Sequence, residues 1–286
     1  RFHNFFDYQR HPLVEEPSED CHARCLWALA EAAWSEEIRY LRWTAVELFR
    51  KGLPPCTGFR STRGWAGVAI AAAAWLDGRW DGDEGDLPAE DLPDAEVEGV
   101  LKDMTQRLTT AWQQTRSNGW AWFEDIMTYD NALLPYALLR ASRVTGDRKM
   151  RQIGLDALGF LAEATFRGDT FWPIGNNGWW HRDGGRAEFA QQPLEAGSMV
   201  LACIEAWDIT GDVAWLQRAR QAVGWFIGDN ALGLWLYDPE TGGCRDGLEA
   251  DGVNHNQGAE STLAWLTAVL SIQHLPGVRV EEWMCA

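Results

Sequence analysis

The chain has 286 residues, 46% of them hydrophobic, and a formal net charge of −17. This is enough apolar material for one large core with no dividing linker, so residues 1–286 read as a single domain. The charge excludes nucleic acid and anionic membrane as main partners, since both need clustered Lys and Arg, and no apolar run reaches the roughly 20 residues of a membrane span.

Helical signals dominate from the start. Ser18-Glu19-Asp20 heads a segment through Trp34 with apolar residues at helical spacing, and Ser35-Glu36-Glu37 opens a second that stops at Gly52. The next pair is the Ala-rich run 63–76 and the amphipathic stretch 94–115, joined by an acidic Gly/Asp/Pro loop over 77–93 that reads as solvated surface. Residues 128–145 and 147–165 form a third pair, and 191–210 and 212–228 a fourth. The first member of each is apolar nearly all round. The second alternates Trp215, Ala219, Ala222 and Phe226 with Gln217, Arg218 and Arg220, so inner and outer layers follow. Pro135 and Pro193 fall near the starts of inner helices, where a missing backbone donor costs little. A fifth inner helix is expected over 257–272, and the tail after Pro276 is too short for more than a fragment.

Two long segments, 166–190 and 229–256, interrupt the helices. They are rich in Gly, Asp, Asn and aromatics, and Thr241-Gly242-Gly243 reads as a tight turn. Loops of such length in a helical domain usually carry function, and both run into the head of an inner helix. Alternating inner and outer helices in antiparallel pairs close into an all-α, (α/α)6-type helical toroid, here incomplete at the N-terminus. Its sixth hairpin would come partly from residues 1–17 or from residues before Arg1. A solenoid of helix pairs is the alternative, although its repeats usually run about 34 to 47 residues.

An internal repeat supports the toroid. Thr145-Gly146-Asp147 aligns with Thr210-Gly211-Asp212, which also superimposes Ala141 on Ala206, Gly159 on Gly224 and Asp130 on Glu195. Glu260 follows after a further interval of about 65 residues. In a toroid all inner helices point one way, so these three acids would ring one mouth. Carboxylates on neighbouring helices with axes roughly 8–10 Å apart suit the spacing of about 6.5–9.5 Å that an inverting glycosidase needs. Against this stands the general preference for acids in a first helical turn, through capping and the macrodipole. Glu195 and Glu260 are the stronger candidates, because Gln191-Gln192 and Asn254-His255-Asn256-Gln257 precede them with side chains suited to hydroxyls. Asn131 after Asp130 reads as a cap.

Further candidates surround them. Glu124 and Asp125 follow Trp120-Ala121-Trp122-Phe123; in an apolar pocket either would be a general acid, and otherwise they cap a helix or form salt bridges. Of 18 tryptophans, Trp120, Trp122, Trp172, Trp179 and Trp180 lie in Gly-rich or polar stretches, where they either stack on sugar rings or plug the ends of the fold. His181, Arg182 and Asp183 follow them; Arg182 and Asp183 are suited to gripping hydroxyls, as are Gln192, Asn256 and Gln257. His22, His181 and His255 are expected at the rim, where a pair could move a proton on and off a sugar carbon. The six cysteines, scattered through a chain too large to need staples, read as reduced thiols and a cytoplasmic protein. Cys21 and Cys25 lack a second ligand pair, and Asp246-Gly247-Leu248-Glu249-Ala250-Asp251-Gly252 lacks calcium-loop spacing, so no metal and no cofactor are expected.

Read together, Ser18-Glu19-Asp20-Cys21-His22-Ala23-Arg24, Phe123-Glu124-Asp125 through Thr128-Tyr129-Asp130-Asn131-Ala132, Gln191-Gln192-Pro193-Leu194-Glu195-Ala196 and Asn256-Gln257-Gly258-Ala259-Glu260-Ser261 resemble the six-hairpin glycosidase-like helical toroids. The resemblance is to a bacterial group encoded beside or fused to glycosyltransferases. It covers most of the chain and implies the fold more than the reaction, since such toroids host hydrolases, phosphorylases, epimerases, lyases and cyclases. The leading expectation is an inverting glycoside hydrolase on a neutral oligosaccharide, using Glu195 and Glu260, with Asp130, Glu124 or Asp125 as the alternative acid. A histidine-pair sugar epimerase and a non-catalytic glycan-binding domain serving a glycosyltransferase are the alternatives.

Overall fold

A computed structural model describes residues 1–13, 17–78, 94–273 and 275. Helix α1 (Glu19–Trp34) starts where the Ser18 hydroxyl accepts the Cys21 N–H at 3.4 Å, with Glu19 and Asp20 in the first turn. Ser35-Glu36-Glu37, expected to open the next helix, instead closes α1. The Ser35 N–H bonds Glu31 O, a 3-10 turn spans Arg39–Leu41, and α2 (Arg42–Gly52) follows. Helix α3 (Thr62–Gly78) is buried almost all round. Its glycine at 67 lets α1 approach, because a Cβ there would lie 2.8 Å from the Ala23 Cβ. Helix α4 (Asp94–Thr115) is amphipathic, with Val97, Leu101, Met104, Leu108 and Trp112 on its buried face. Most of the acidic loop before it, 79–93, and the tail from 276 lie outside the described residues.

The repeat is visible in the hinges. Between α5 (Leu133–Thr145) and α6 (Arg148–Thr165), Gly146 adopts φ +71° and Asp147 caps α6 by accepting from Lys149 and Met150. Between α7 (Pro193–Thr210) and α8 (Val213–Gly224), Gly211 adopts the same φ and Asp212 accepts from Ala214. In each, the left-handed glycine ends the inner helix at no steric cost and the aspartate satisfies the next helix's free N–H groups. Pro193 is the first residue of α7, as its missing donor favours. Helix α9 (Ala259–Ile272) completes the helices among the described residues.

Helices α1, α3, α5, α7 and α9 pack each against the next, and α2, α4, α6 and α8 each back their own inner partner. This is the double layer of an (α/α)6-type toroid, with five inner helices among the described residues. Residues 1–13 supply no helix toward a sixth hairpin; they form a bridge from Phe6 to Pro12 around a turn with Arg10 at φ +68°. Three two-stranded ribbons decorate the loops: β1 (Ile126–Met127) with β4 (Trp180–His181), β2 (Phe166–Arg167) with β3 (Thr170–Phe171), and β5 (Gly247–Glu249) with β6 (Gly252–Asn254). The core runs between the layers, with Trp75, Trp122, Trp225, Trp265 and Phe49 fully buried and Phe49 stacked on Trp75 at 4.4 Å. Each such ring contributes about 1.5–3 kcal/mol by leaving water. No helix among the described residues is long and apolar enough to cross a membrane.

Each of α1, α3, α5 and α7 is followed by an outer helix that packs back on it, so the inner N-termini share one end. The opposite end is tied by ion pairs between helix C-terminal turns. Arg143 reaches Asp77 at 2.7 Å and Glu205 at 3.5 Å, and Arg140 reaches the same two acids at 3.4 and 3.7 Å.

Candidate active site at the mouth of the toroid

The N-terminal end gathers charged groups from four inner helices around Arg24. This guanidinium, on α1, donates from Nε to Asp20, one turn earlier, at 3.1 Å and from Nη2 to Asp130 at 2.6 Å. Asp130, expected in the first turn of a helix, lies three residues before α5 in a left-handed conformation, φ +48°. Aspartate tolerates that region better than most residues, and the strain is held by long-range contacts on both sides. The result is a carboxylate with no exposure, bonded to Arg24 on α1.

Asn131 does not cap α5 with its side chain. Its backbone N–H and its Nδ2 donate to Glu195 Oε2 on α7 at 3.2 and 3.1 Å, and Nδ2 also reaches Thr128 O. Asp130 and Glu195 are thus neighbours, 5% or less exposed. Their second oxygens, Asp130 Oδ1 and Glu195 Oε1, find no hydrogen-bond partner among the described residues. Burial, and then the charge on Asp130, push the Glu195 carboxyl up to about 7 against the Asn131 amides, which favour its charged form. Burial also raises Asp130, but Arg24 opposes it. Glu260, second residue of α9, stands exposed at the mouth; partial desolvation raises its carboxyl, with Arg24 opposing and Asp130 reinforcing.

A second network flanks the first. Arg63, buried at the head of α3, is paired with Glu124, donates to Tyr129 O at 2.9 Å and reaches Asn131 Oδ1 at 3.5 Å. Thr62 adds a 2.8 Å bond to Glu124. Glu124 therefore sits in an ion pair, not in the apolar pocket that would make it an acid. Asp125 is exposed and bonded to Arg182 at 3.0 Å, and Arg182 also holds Thr115 O and Ser117. Both residues are occupied in fastening the β1–β4 ribbon.

The aromatic candidates divide. Trp122 is fully buried and cannot stack on a ligand, and Trp120 is buried with its indole donating to Glu124 O. Trp180 packs on Phe160 of α6 and edge-on to Trp120, which places it against the outer layer. Trp179, at φ +54°, donates to Asn176; His181 and Asp183 are exposed on the same loop. Gln191 is buried and accepts from Trp225, while Gln192 precedes α7 with no side-chain cap bond. Asn256 is bonded to Asp246, and Gln257 donates to Asp238 at 2.9 Å. Asp246 serves as a remote cap for α9, accepting from Gly258 N–H and the Ser261 hydroxyl, each at 2.7 Å. His22 is turned from the mouth: it accepts from Phe2 N–H at 3.0 Å, and its other ring nitrogen meets Gly52 O at 2.7 Å. His255 bonds Arg245 at 2.8 Å on a different loop from His181. Among the described residues no cluster of His, Cys, Asp and Glu has metal-binding geometry.

Arg24, Asp20 and Arg63 were not read as site residues from sequence. The one local signal was Asp20 four positions before Arg24, which places the two on one helical face.

A helical toroid with a ring of acids at the inner N-termini defines the class. Neither a family model nor a curated protein sequence matches the chain, but solved structures do. A GH76 α-mannanase of Bacteroides thetaiotaomicron is similar over 93% of this chain and 71% of its own, with TM-score 0.58 and 10% identity. A cellobiose 2-epimerase of Bacillus thermoamylovorans is similar over 93% and 73%, with TM-score 0.62 and 13% identity. A sugar epimerase from a ruminal bacterium is similar over 97% and 92%, with TM-score 0.54 and 13% identity. At these identities the likeness shows the fold.

Proposed function

We propose that the chain is a glycoside hydrolase acting on a neutral oligosaccharide, with Glu195 as general acid and Glu260 as general base. The observation that carries this reading is the buried pair of acids at the mouth, Asp130 at 2.6 Å from Arg24 and Glu195 held by Asn131, with burial first and Asp130 second pushing the Glu195 carboxyl up to about 7. A general acid at neutral pH needs its carboxyl raised in this way. Glu260 begins the adjacent inner helix and faces solvent, where it can take a proton from water, and neighbouring helix axes about 8–10 Å apart suit an inverting arrangement. Asp130 acts through Glu195 as a positioning residue. The mannanase among the structural neighbours supports a glycan substrate, and the net charge of −17 favours a neutral one.

The test is turnover of α-manno- and cello-oligosaccharides by the wild type, Glu195→Gln and Glu260→Gln, with kcat/KM followed from pH 4 to 9. Because the acid must be protonated, the wild-type rate should fall as pH rises through about 7, the Glu195 value. Full turnover by both variants would end this reading. The two neighbours described as epimerases favour a second one, epimerisation at a sugar carbon. It shows itself as solvent deuterium entering the product at carbon with no bond cleaved. Tight binding without any product over days would make the chain a glycan-binding module, as for an associated glycosyltransferase.

A further inference from the structure

Outside the acid cluster, the loop between α8 and α9 forms a groove of about 330 Å³ lined by Trp235, Tyr237, Asp238, Pro239 and Arg245. That volume lies at the small end of the roughly 300–1,000 Å³ of small-molecule sites, suited to a single ring. We propose that this groove is a second sugar subsite, holding a residue of the oligosaccharide beyond the one at the mouth. The proposal rests on the reading of the mouth as acting on an oligosaccharide.

The groove is built, not incidental. Trp235 seats its indole against Gly228, where φ is +102° and a Cβ would come within 3.1 Å of Trp235 Cδ1, so a bare glycine backs the ring. Tyr237 is stacked on Trp265 at 4.7 Å and 27°. Antiparallel bridges Ile227 to Trp235 and Tyr237 to Cys244 fix the backbone between the two rings. The polar wall is equally fixed. Asp238 accepts from Gln257 at 2.9 Å and from Glu240 N–H at 3.0 Å, and Arg245 lies 3.4 Å from Asp238 and 2.8 Å from His255 Nδ1.

This chemistry selects the ligand. Half-buried aromatic rings suit the C–H faces of a pyranose, and a carboxylate beside a guanidinium presents acceptors and donors to adjacent hydroxyls. Because Asp238 and Arg245 neutralise each other in a chain of net charge −17, an anionic group is disfavoured. Position links the groove to the chemistry. Gln257, which holds Asp238, lies three residues before Glu260 in the turn that starts α9. The groove and Glu260 thus lie at the same end of α9.

The experiment compares kcat/KM for two-unit and six-unit α-manno- and cello-oligosaccharides, with binding of the same probes measured by calorimetry. In Trp235→Ala the six-unit substrate should lose about tenfold and the two-unit substrate should be unchanged, while Trp235→Phe should keep most of the preference. Arg245→Gln, which leaves both rings in place, should show the same selective loss, and it decides the matter if Trp235→Ala does not fold. A wild-type preference for the longer substrate that survives both Trp235→Ala and Arg245→Gln, or no such preference at all, overturns the subsite and leaves the hydrolase reading standing. If the wild type neither binds nor cleaves any probe, the hydrolase reading falls and takes the subsite with it.

Discussion

Replacing Glu195 by Gln should change stability in a way that depends on pH. In the folded chain the Glu195 carboxyl titrates near 7, against an ordinary value of 4.5. The folded state therefore binds more protons than the unfolded state between those values, and stability falls as pH rises through that window. A difference of about 2.5 in pK at 1.36 kcal/mol each makes ionised Glu195 cost about 3 kcal/mol above pH 7. No solvent discount applies, since the residue is 5% exposed. Glutamine keeps the oxygen that accepts from Asn131 and puts an amide where Oε1 has no partner, so it removes the charge with little other damage. Urea denaturation of wild type and variant from pH 4 to 8.5 should give similar stabilities near pH 4, with the variant gaining up to about 3 kcal/mol by pH 8. A difference between the two that stays constant across that range would refute the claim that a buried, proton-holding carboxyl sits at 195. An activity loss accompanied by this gain would be the trade expected where a site stores strain for function.

Other substitutions test the frame around it. Arg24→Ala leaves Asp130 buried without its 2.6 Å partner and should cost about 3–5 kcal/mol, read as a loss in denaturant midpoint. Gly67→Leu should destabilise by about 1–3 kcal/mol, because even a Cβ at 67 lies 2.8 Å from that of Ala23 and α1 must shift; an unchanged melting temperature would contradict the packing of α1 on α3. Asp147→Ala removes a cap that accepts from two N–H groups and should cost about 1 kcal/mol, and Asp212→Ala should cost a similar amount if the two hinges are equivalent.

Those hinges were legible in the sequence because their chemistry is local. A glycine free to adopt φ +71° followed by an aspartate that caps the next helix needs no information from elsewhere, and Thr145-Gly146-Asp147 and Thr210-Gly211-Asp212 carry it in three residues. Inner and outer layers were legible for the same reason, through side-chain periodicity. The start of α5 was not. Residues 128–132 carry no helix-breaking signal, and they leave the helix because Asp130 is drawn to Arg24, 106 positions away, and Asn131 to Glu195, 64 positions away. Trp122 failed for a related reason. A polar, Gly-rich neighbourhood says that a segment is a loop, but not that the loop folds inward and buries its indole completely. Glu124 and Arg63 lie 61 positions apart, so a carboxylate that looked available is occupied by a partner that sequence spacing does not reveal.

The position of the proton at the mouth follows from charge balance and geometry together. Asp20, Asp130, Glu195 and Glu260 converge there; Arg24 acts on Asp20, Asp130 and Glu260, while Arg63 is paired with Glu124. The N-termini of the five inner helices among the described residues soften the repulsion, each with about half a positive charge, but that help fades within the first turn. Asp20 and Asp130 take the direct contacts to Arg24, and Glu260 reaches solvent. Glu195 is left with the neutral amides of Asn131 on one oxygen, nothing on the other, and the charge of Asp130 alongside. Burial first, and Asp130 second, hold its proton on up to about 7. The repeat brings an acid to the mouth near the heads of α5, α7 and α9, and the frame makes the three unequal: Asp130 is paired with Arg24, Glu195 is held by the neutral amides of Asn131, and Glu260 faces solvent.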